Sequence, residues 1–236
     1  VAALLGVSPE RICLPVSATF GLNQAIHGVV TSGIHVIATA ADHNATLRPL
    51  HYLLGKGLIQ LTVVPCDEQG WVDPDDVVKA WQANTRLVTF SHASNVTGVI
   101  QEVEALVEIA KERDAISLLD ASQSLGHVAL SQYKSMADIV VSPGHKWLMG
   151  MHGVAVLYAR EGIHFDPLIQ GGTGSTSESL EMPVGIQAQV EVGTLDFPAV
   201  AALLAGCRWL KEEGLKSVAA ACKGNVQTCY DGLRDI

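Results

Sequence analysis

Short, almost unbroken apolar runs alternate with helical patterns along most of this chain, and that alternation limits the fold more than any other feature. Arg11–Leu14, His35–Thr39, Leu61–Pro65, Arg86–Ser91, Ala115–Asp120, Asp138–Ser142 and Gly153–Tyr158 read as strands. Near-continuous hydrophobicity over such short lengths is the pattern of strands buried on both faces of a largely parallel sheet. Phe20–Thr31, Thr46–Gly55, Pro74–Ala83 and Glu102–Arg113 read as the intervening helices. Asp73 followed by Pro74 is a strong helix start, a side-chain cap with proline at the first helical position. The alternation predicts an α/β domain, a mostly parallel sheet sandwiched by helices joined through right-handed crossovers. Past Tyr158 the texture changes. Gly171–Ser179 is a Gly/Ser/Thr loop, too short to link independent domains, and two helices, Pro198–Glu213 and Leu215–Arg234, follow it.

Length and composition exclude several classes. The 236 residues suit one large α/β domain, or one domain and part of another. A 48% hydrophobic share supports a sizeable core and opposes disorder. The net charge of −9 opposes a general nucleic-acid surface, which needs clustered Lys and Arg. Apolar stretches such as Pro198–Cys207 fall short of the roughly 20 residues of a membrane helix, so no membrane partner is expected. The five cysteines form no CxxC pair, and an odd count without a disulfide framework predicts a reducing cytoplasm. No metal set is expected. The chain begins at Val1 without an initiator Met and ends at Ile236 within a helical pattern, so both ends read as cut.

In an open α/β sheet the ligand lies beyond the carboxyl ends of the strands, which makes the polar residues there the ones to read. The first strand runs into Ser17-Ala18-Thr19 and a helix, a cradle for a phosphate, although Thr19 could equally serve only as a helix cap. The second leads to Asp42-His43-Asn44, where His43 could lie flat on an aromatic ring or be an ordinary solvated histidine. Asn95, beyond the strand ending at Ser91, could donate to a ring oxygen or simply form a turn. Asp120 closes the apolar run Ile116-Ser117-Leu118-Leu119. A carboxylate in that place is desolvated and calls for a cationic partner such as a pyridinium nitrogen; a local capping role is the alternative. Gln123 follows within reach of the same ring. Finally, Ser142-Pro143-Gly144-His145-Lys146 sets a lysine just past a buried strand, where a nucleophilic amine can be held neutral; a solvated turn lysine is the bland reading. Their joint occurrence, in order and each at a strand end, favours a pyridoxal-type cofactor.

Ordered together, these stretches resemble the class V aminotransferase superfamily and its cysteine desulfurase/selenocysteine lyase-like branch. The resemblance runs over the whole chain. It is carried by Asp42–Leu50, Ser91–Gly98, Leu119–Gln123, the turn Pro143–Lys146, and Gly171–Ser175 leading to Glu178–Glu181. It implies the large domain of a type I pyridoxal 5'-phosphate-dependent transferase over residues 1–197, with a helical segment at 198–236 leading to a C-terminal small domain. It further implies that Lys146 holds the cofactor as a Schiff base and shuttles the α-proton. Asp120 would pair with the pyridinium nitrogen, Gln123 with the phenolic oxygen, and His43 would stack on the ring. Asn95 would orient substrate or ring oxygen, while Ala18, Thr19 and His145 would hold the phosphate. Thr194, in Glu191-Val192-Gly193-Thr194, matches a threonine that reaches a neighbouring subunit's phosphate, which implies a homodimer. The implied substrate is cysteine or selenocysteine, with alanine as product and a sulfur-acceptor protein as partner.

Four departures accompany the resemblance. Pro143 stands where many relatives carry a Ser or Thr that donates to the phosphate; Ser142 could substitute, or strand alternation could point it away. Trp147 occupies a place where a small residue is common and is expected to crowd the turn, and Leu195-Asp196 replaces Pro-Asn. The nucleophilic cysteine and carboxylate-gripping arginine of a desulfurase belong to a C-terminal domain outside this chain. Cys13, Cys207, Cys222 and Cys229 fall on strand or helix patterns with packing as their default role, and Arg48 is a candidate anion binder. Other class V reactions (transamination, β-elimination), a non-catalytic module and a nucleotide-binding oxidoreductase are the rival readings. The last lacks a GxGxxG after its first strand.

Overall fold

The computed structural model describes residues 1–128, 137–175 and 178–234. In chain order the elements are α1 (Ala2–Leu5), a 3-10 turn (Pro9–Arg11), β1 (Ile12–Cys13), α2 (Ala18–Val29), β2 (Ile34–Thr39), α3 (Asn44–Gly55) and β3 (Ile59–Val64). There follow α4 (Pro74–Lys79), β4 (Thr85–Ser91), α5 (Val103–Glu112), β5 (Ile116–Asp120), β6 (Ile139–Pro143) and β7 (Ala155–Ala159), then α6 (Ile186–Val190), α7 (Phe197–Glu213) and α8 (Leu215–Arg234). All seven expected strands form. The short helices α1 and α6 and the 3-10 turn had no sequence signal, because so few residues carry no readable 3.6 period. Positions 176–177 of the expected Gly171–Ser179 loop lie outside the described residues.

The strands make one sheet in the order β1-β7-β6-β5-β4-β2-β3. Every pairing from β3 through β6 is parallel, while β7 runs antiparallel to both β6 and β1. The reversal follows from the link between β6 and β7: segment 144–154 is too short for the crossover that a parallel pair requires. It therefore stays at the carboxyl end of β6, and the lysine of the sequence motif stays with it.

Alternation along each strand divides the apolar residues between two layers. Ile37, Val88, Phe90, Leu119, Val140 and Val156 face α4, α5 and α7 through Val77, Leu106, Leu203 and Leu210. Val36, Leu87, Leu118, Ile139, Val141 and Leu157 face α2, α3 and α6 through Leu22, Ile26, Leu50 and Ile186. Burial on both faces holds throughout β2, but not for β3. As an edge strand β3 exposes Gln60 and leaves Val63 44% accessible, because only one neighbour covers it.

Local signals set several helix starts. Asp73 caps α4 as expected, its carboxylate accepting from the Asp75 N–H at 2.9 Å. The helix stops at Lys79 rather than Ala83, since the Thr85 hydroxyl takes the Gln82 N–H and turns the chain into β4. Helix α2 begins two residues before the expected Phe20: Ser17, not Thr19, is its cap, with Oγ accepting from the Phe20 N–H at 3.1 Å. None of the helices is long and apolar enough to cross a membrane, among the described residues.

Candidate active site

Strand order reverses between β2 and β4: the chain steps outward from β2 to β3, then returns to run inward through β4, β5 and β6. Crevices open at such reversals, beyond the strand carboxyl ends. A cavity of about 180 Å³ lies there. Ser17, Ala18 and Thr19 line one side, at the amino end of α2; His43 and Ala45 come from the start of α3. Ser91, Ala93 and Asn95 follow β4, and Asp120, Ser122 and Gln123 follow β5. Pro143, His145 and Lys146 complete the wall from the end of β6. Eight of the nine residues singled out in the sequence thus border one cleft.

The ninth, Thr194, does not. It is exposed on the stretch before α7 and takes no part in the cleft of this single chain. Its neighbour Glu191 is tied to the sheet instead, accepting from the Leu14 N–H at 2.7 Å.

Asp120 sits at the centre of the rim, in register with Ser91 on β4 and Val141 on β6. It is only 6% exposed. Its Oδ1 accepts from the Ser122 N–H at 2.9 Å, so the local capping role is real. No donor among the described residues reaches Oδ2, and no ion pair involves this carboxylate. A buried carboxylate with one free oxygen facing a cleft is an acceptor for a cationic N–H.

Lys146 stands exposed at the mouth of the cleft, on a turn closed by its own main chain. The Gly144 N–H bonds to Val154 O at 3.0 Å, Met149 N–H to Lys146 O at 3.2 Å, and Gly150 N–H to Gly144 O at 2.8 Å. Two close approaches clamp this turn. A Cβ on Gly206 of α7 would lie 2.1 Å from Leu148 O, and one on Gly126 would lie 2.2 Å from Trp147 O. Trp147 does not crowd the turn, as its bulk suggested; its indole lies on the His127 imidazole.

The remaining candidates take up specific positions. His43 caps α3, its Nδ1 accepting from the Ala45 N–H at 3.0 Å, which pins the ring at the cleft edge. Asn95 is exposed in the turn that Ser94 organises by accepting from Val96 and Thr97 N–H. The His145 ring packs on His152, centroids 4.0 Å apart, and burial, then the charges of His152 and Lys146, lower its pKa. Ser142 does not stand in for the hydroxyl missing at Pro143: it is buried, and its Oγ donates to Ala121 O at 3.3 Å. Arg48 borders a neighbouring groove with His27, Tyr52 and His43. Of the cysteines, Cys13 and Cys207 are buried as expected, while Cys222 is half-buried and Cys229 exposed, because α8 packs through little more than Val218. Burial raises the Cys13 thiol to about 12, so it is inert.

Sequence reading gave no role to Asp42, which the structure places beneath this site, fully paired. Its only sequence signal was a carboxylate three residues after Thr39 at a strand-to-helix junction.

The fold and this cleft define an α/β protein with a lysine, a buried carboxylate and a helix amino terminus converging on one small cleft. The chain belongs to the class-V aminotransferase family, whose model matches residues 1–236. It is 33% identical to the cysteine desulfurase IscS of Dictyoglomus turgidum, over 84% of this chain and 52% of that protein. It is 31% identical to the IscS of Methanosarcina thermophila, over 83% of this chain and 50% of that one. The apo structure of the cysteine desulfurase from Thermococcus onnurineus NA1 superposes with a TM-score of 0.89 at 30% identity, covering 99% of this chain and 60% of that chain. The chain therefore spans between half and three-fifths of the length of these relatives.

Proposed function

We propose that this chain is the cofactor-binding part of a pyridoxal 5'-phosphate enzyme that takes sulfur from cysteine, or selenium from selenocysteine, and releases alanine. The observation that carries the proposal is the convergence of Lys146, Asp120, His43 and the α2 amino terminus on one cleft. The residues present fit the cofactor. Asp120 offers its unpaired Oδ2 to a pyridinium N–H, and Gln123 lies beside it for the phenolic oxygen. The first-turn N–H groups of Ala18 and Thr19 lack intrahelical partners and, with His145, suit a phosphate dianion. When bound, the cofactor supplies an electron sink for charge developing at the substrate's α-carbon.

The chain's own groups do the rest. Lys146 would anchor the cofactor and carry a proton to and from the α-carbon at Nζ, its turn fixed by the Gly126 and Gly206 contacts. Asp120 would hold the ring nitrogen's proton. His43, held in place by its cap bond, would lie against the ring and exclude water there. Asn95, on an exposed turn, orients the substrate. The relatives' names support cysteine as the substrate; a sulfur-acceptor protein is the partner this reading calls for. The exposed Thr194 suits a homodimer in which it reaches the other subunit's phosphate, and the five unpaired cysteines suit the cytoplasm. The large domain takes in residues 1–197, and the helical segment from 198 onward leads to a small domain.

The test is visible absorbance of the purified protein with added pyridoxal phosphate, followed by borohydride reduction and peptide mapping. The expected result is one reduced adduct, on Lys146, that is lost in Lys146→Ala. An unchanged adduct in the variant would overturn the assignment. Alanine formed from cysteine only with a thiol acceptor separates desulfuration from transamination or β-elimination.

A further inference from the structure

The β2/β4 ladder is shorter than its strands. Paired residues end at Ile37↔Val88, although β2 continues to Thr39 and β4 to Ser91. Beyond that pair the strands diverge at the point where the sheet order reverses, and their main-chain donors need other acceptors. Asp42 supplies them. Its Oδ2 accepts from the Thr39 N–H at 3.2 Å and the Thr89 hydroxyl at 3.0 Å. Its Oδ1 accepts from the Ser91 N–H at 2.7 Å and the Thr39 hydroxyl at 3.0 Å. One carboxylate, 7% exposed, thus bonds to both diverging strands.

Asp42 itself is not on the cleft wall, but the groups it holds are. It precedes His43 in the chain, and it fixes the main chain of Ser91, which is in register with Asp120. We infer that Asp42 is a positioning residue: its carboxylate splices the parted ends of β2 and β4 and so sets the distance between the His43 wall and the Ser91–Asp120 wall. The inference rests on the cofactor reading of the cleft. A carboxylate is required because each oxygen faces one main-chain N–H. An asparagine would turn its own NH₂ against one of those donors. Burial opposes the charge and the four donors support it, as expected for a group kept for its geometry.

The experiment compares wild type, Asp42→Asn and Thr89→Val, the last removing one of the four bonds without touching the cleft. Cofactor affinity is titrated by absorbance, and ring orientation is read from the induced visible circular dichroism. Amide exchange at Ser91 and Ala45 is followed in the cofactor-free protein. Asp42→Asn is expected to weaken pyridoxal phosphate binding about tenfold or more, in line with misplacement by about an ångström. It should also reduce the dichroic band and speed Ser91 exchange. Thr89→Val is expected to weaken binding by about fivefold, the worth of one hydrogen bond. It decides the matter should the asparagine variant not fold. Wild-type affinity, dichroism and exchange in a folded variant would overturn the inference. If wild type itself forms no Lys146 adduct, the cofactor reading fails instead; exchange at Ser91 then decides the role of Asp42, unchanged rates counting against it.

Discussion

The indole of Trp147 lies on the imidazole of His127, ring centroids 3.7 Å apart and planes 17° from parallel. This contact joins two segments that are distant in sequence, the lysine turn after β6 and the stretch that follows Asp120. The stack ties the turn that carries Lys146 to the segment that carries Asp120. The same neighbourhood contains Gly126, at φ 116° and against the Trp147 carbonyl, so main chain meets main chain beneath the rings.

Trp147→Ala removes the stack but leaves the Gly126 contact. The expected loss is about 2 kcal/mol of stability, below the 3–5 typical of a fully buried aromatic because Trp147 is only half-buried. Urea denaturation measures it. Adduct formation at Lys146 should slow in the same variant, and a normal rate would show that the stack does not position the turn.

Gly206→Ala tests the other clamp. Its methyl would fall 2.1 Å from Leu148 O and 2.9 Å from the Met149 carbonyl carbon, both main-chain atoms of the lysine turn. Neither can yield without moving the turn or α7. A destabilisation of about 3 kcal/mol is expected, at the upper end for overpacked sites. A melting temperature within a degree or so of wild type would refute the contact, since a change of that size shifts it by several degrees.

Asp120→Asn keeps an oxygen for the Ser122 N–H while removing the charge. Folding should be nearly unchanged and cofactor should still bind. The rate of α-proton exchange from bound substrate should fall about a hundredfold or more, the usual consequence of deleting a preorganised electrostatic partner. Proton exchange followed by NMR checks this, and a mild effect would assign Asp120 to capping alone.

Acid stability carries the mark of His92. This ring is 7% exposed, its Nδ1 has no hydrogen-bond partner among the described residues, and burial, then the charge of His127, lower its pKa to about 4. Between the ordinary 6.5 and about 4 the unfolded chain holds more of this proton than the folded one. Its contribution is therefore fully present above 6.5 and is lost as pH falls through 4, at most about 3 kcal/mol. Asp42 has the opposite sign. Its pKa is raised from 3.8 to about 6, chiefly by burial, so its contribution is present below 3.8 and lost as pH rises through 6. His92→Gln should flatten the loss of stability between pH 6.5 and 4, measured by denaturation at several pH values. Parallel curves for variant and wild type would refute this account.

Much of the site was legible because it lies at strand ends, and strand ends are local events. Asp120 terminates an apolar run and Lys146 follows another, so both could be placed on a rim before any coordinates. The residues that escaped notice depend on what lies opposite them. Asp42 resembles any polar residue after a strand until Thr89 and Ser91 are brought beside it. Alternation left Ser142 open between a phosphate donor and an inward residue until its hydroxyl was found on Ala121 O. Trp147 looked like an obstruction until His127 supplied a surface for it.

By itself the sequence determined which segments become the strands and the longer helices, that the sheet is largely parallel and layered, and most of the polar groups at its edge. Those properties follow from burial periodicity and chain termination, which a few neighbouring residues settle. Only the tertiary structure decided the lateral order of the strands, the end of the β2/β4 ladder at Ile37 and Val88, and the absence of Thr194 from the cleft. Each depends on contacts between residues far apart along the chain, where packing and hydrogen-bond satisfaction choose among arrangements with the same local pattern.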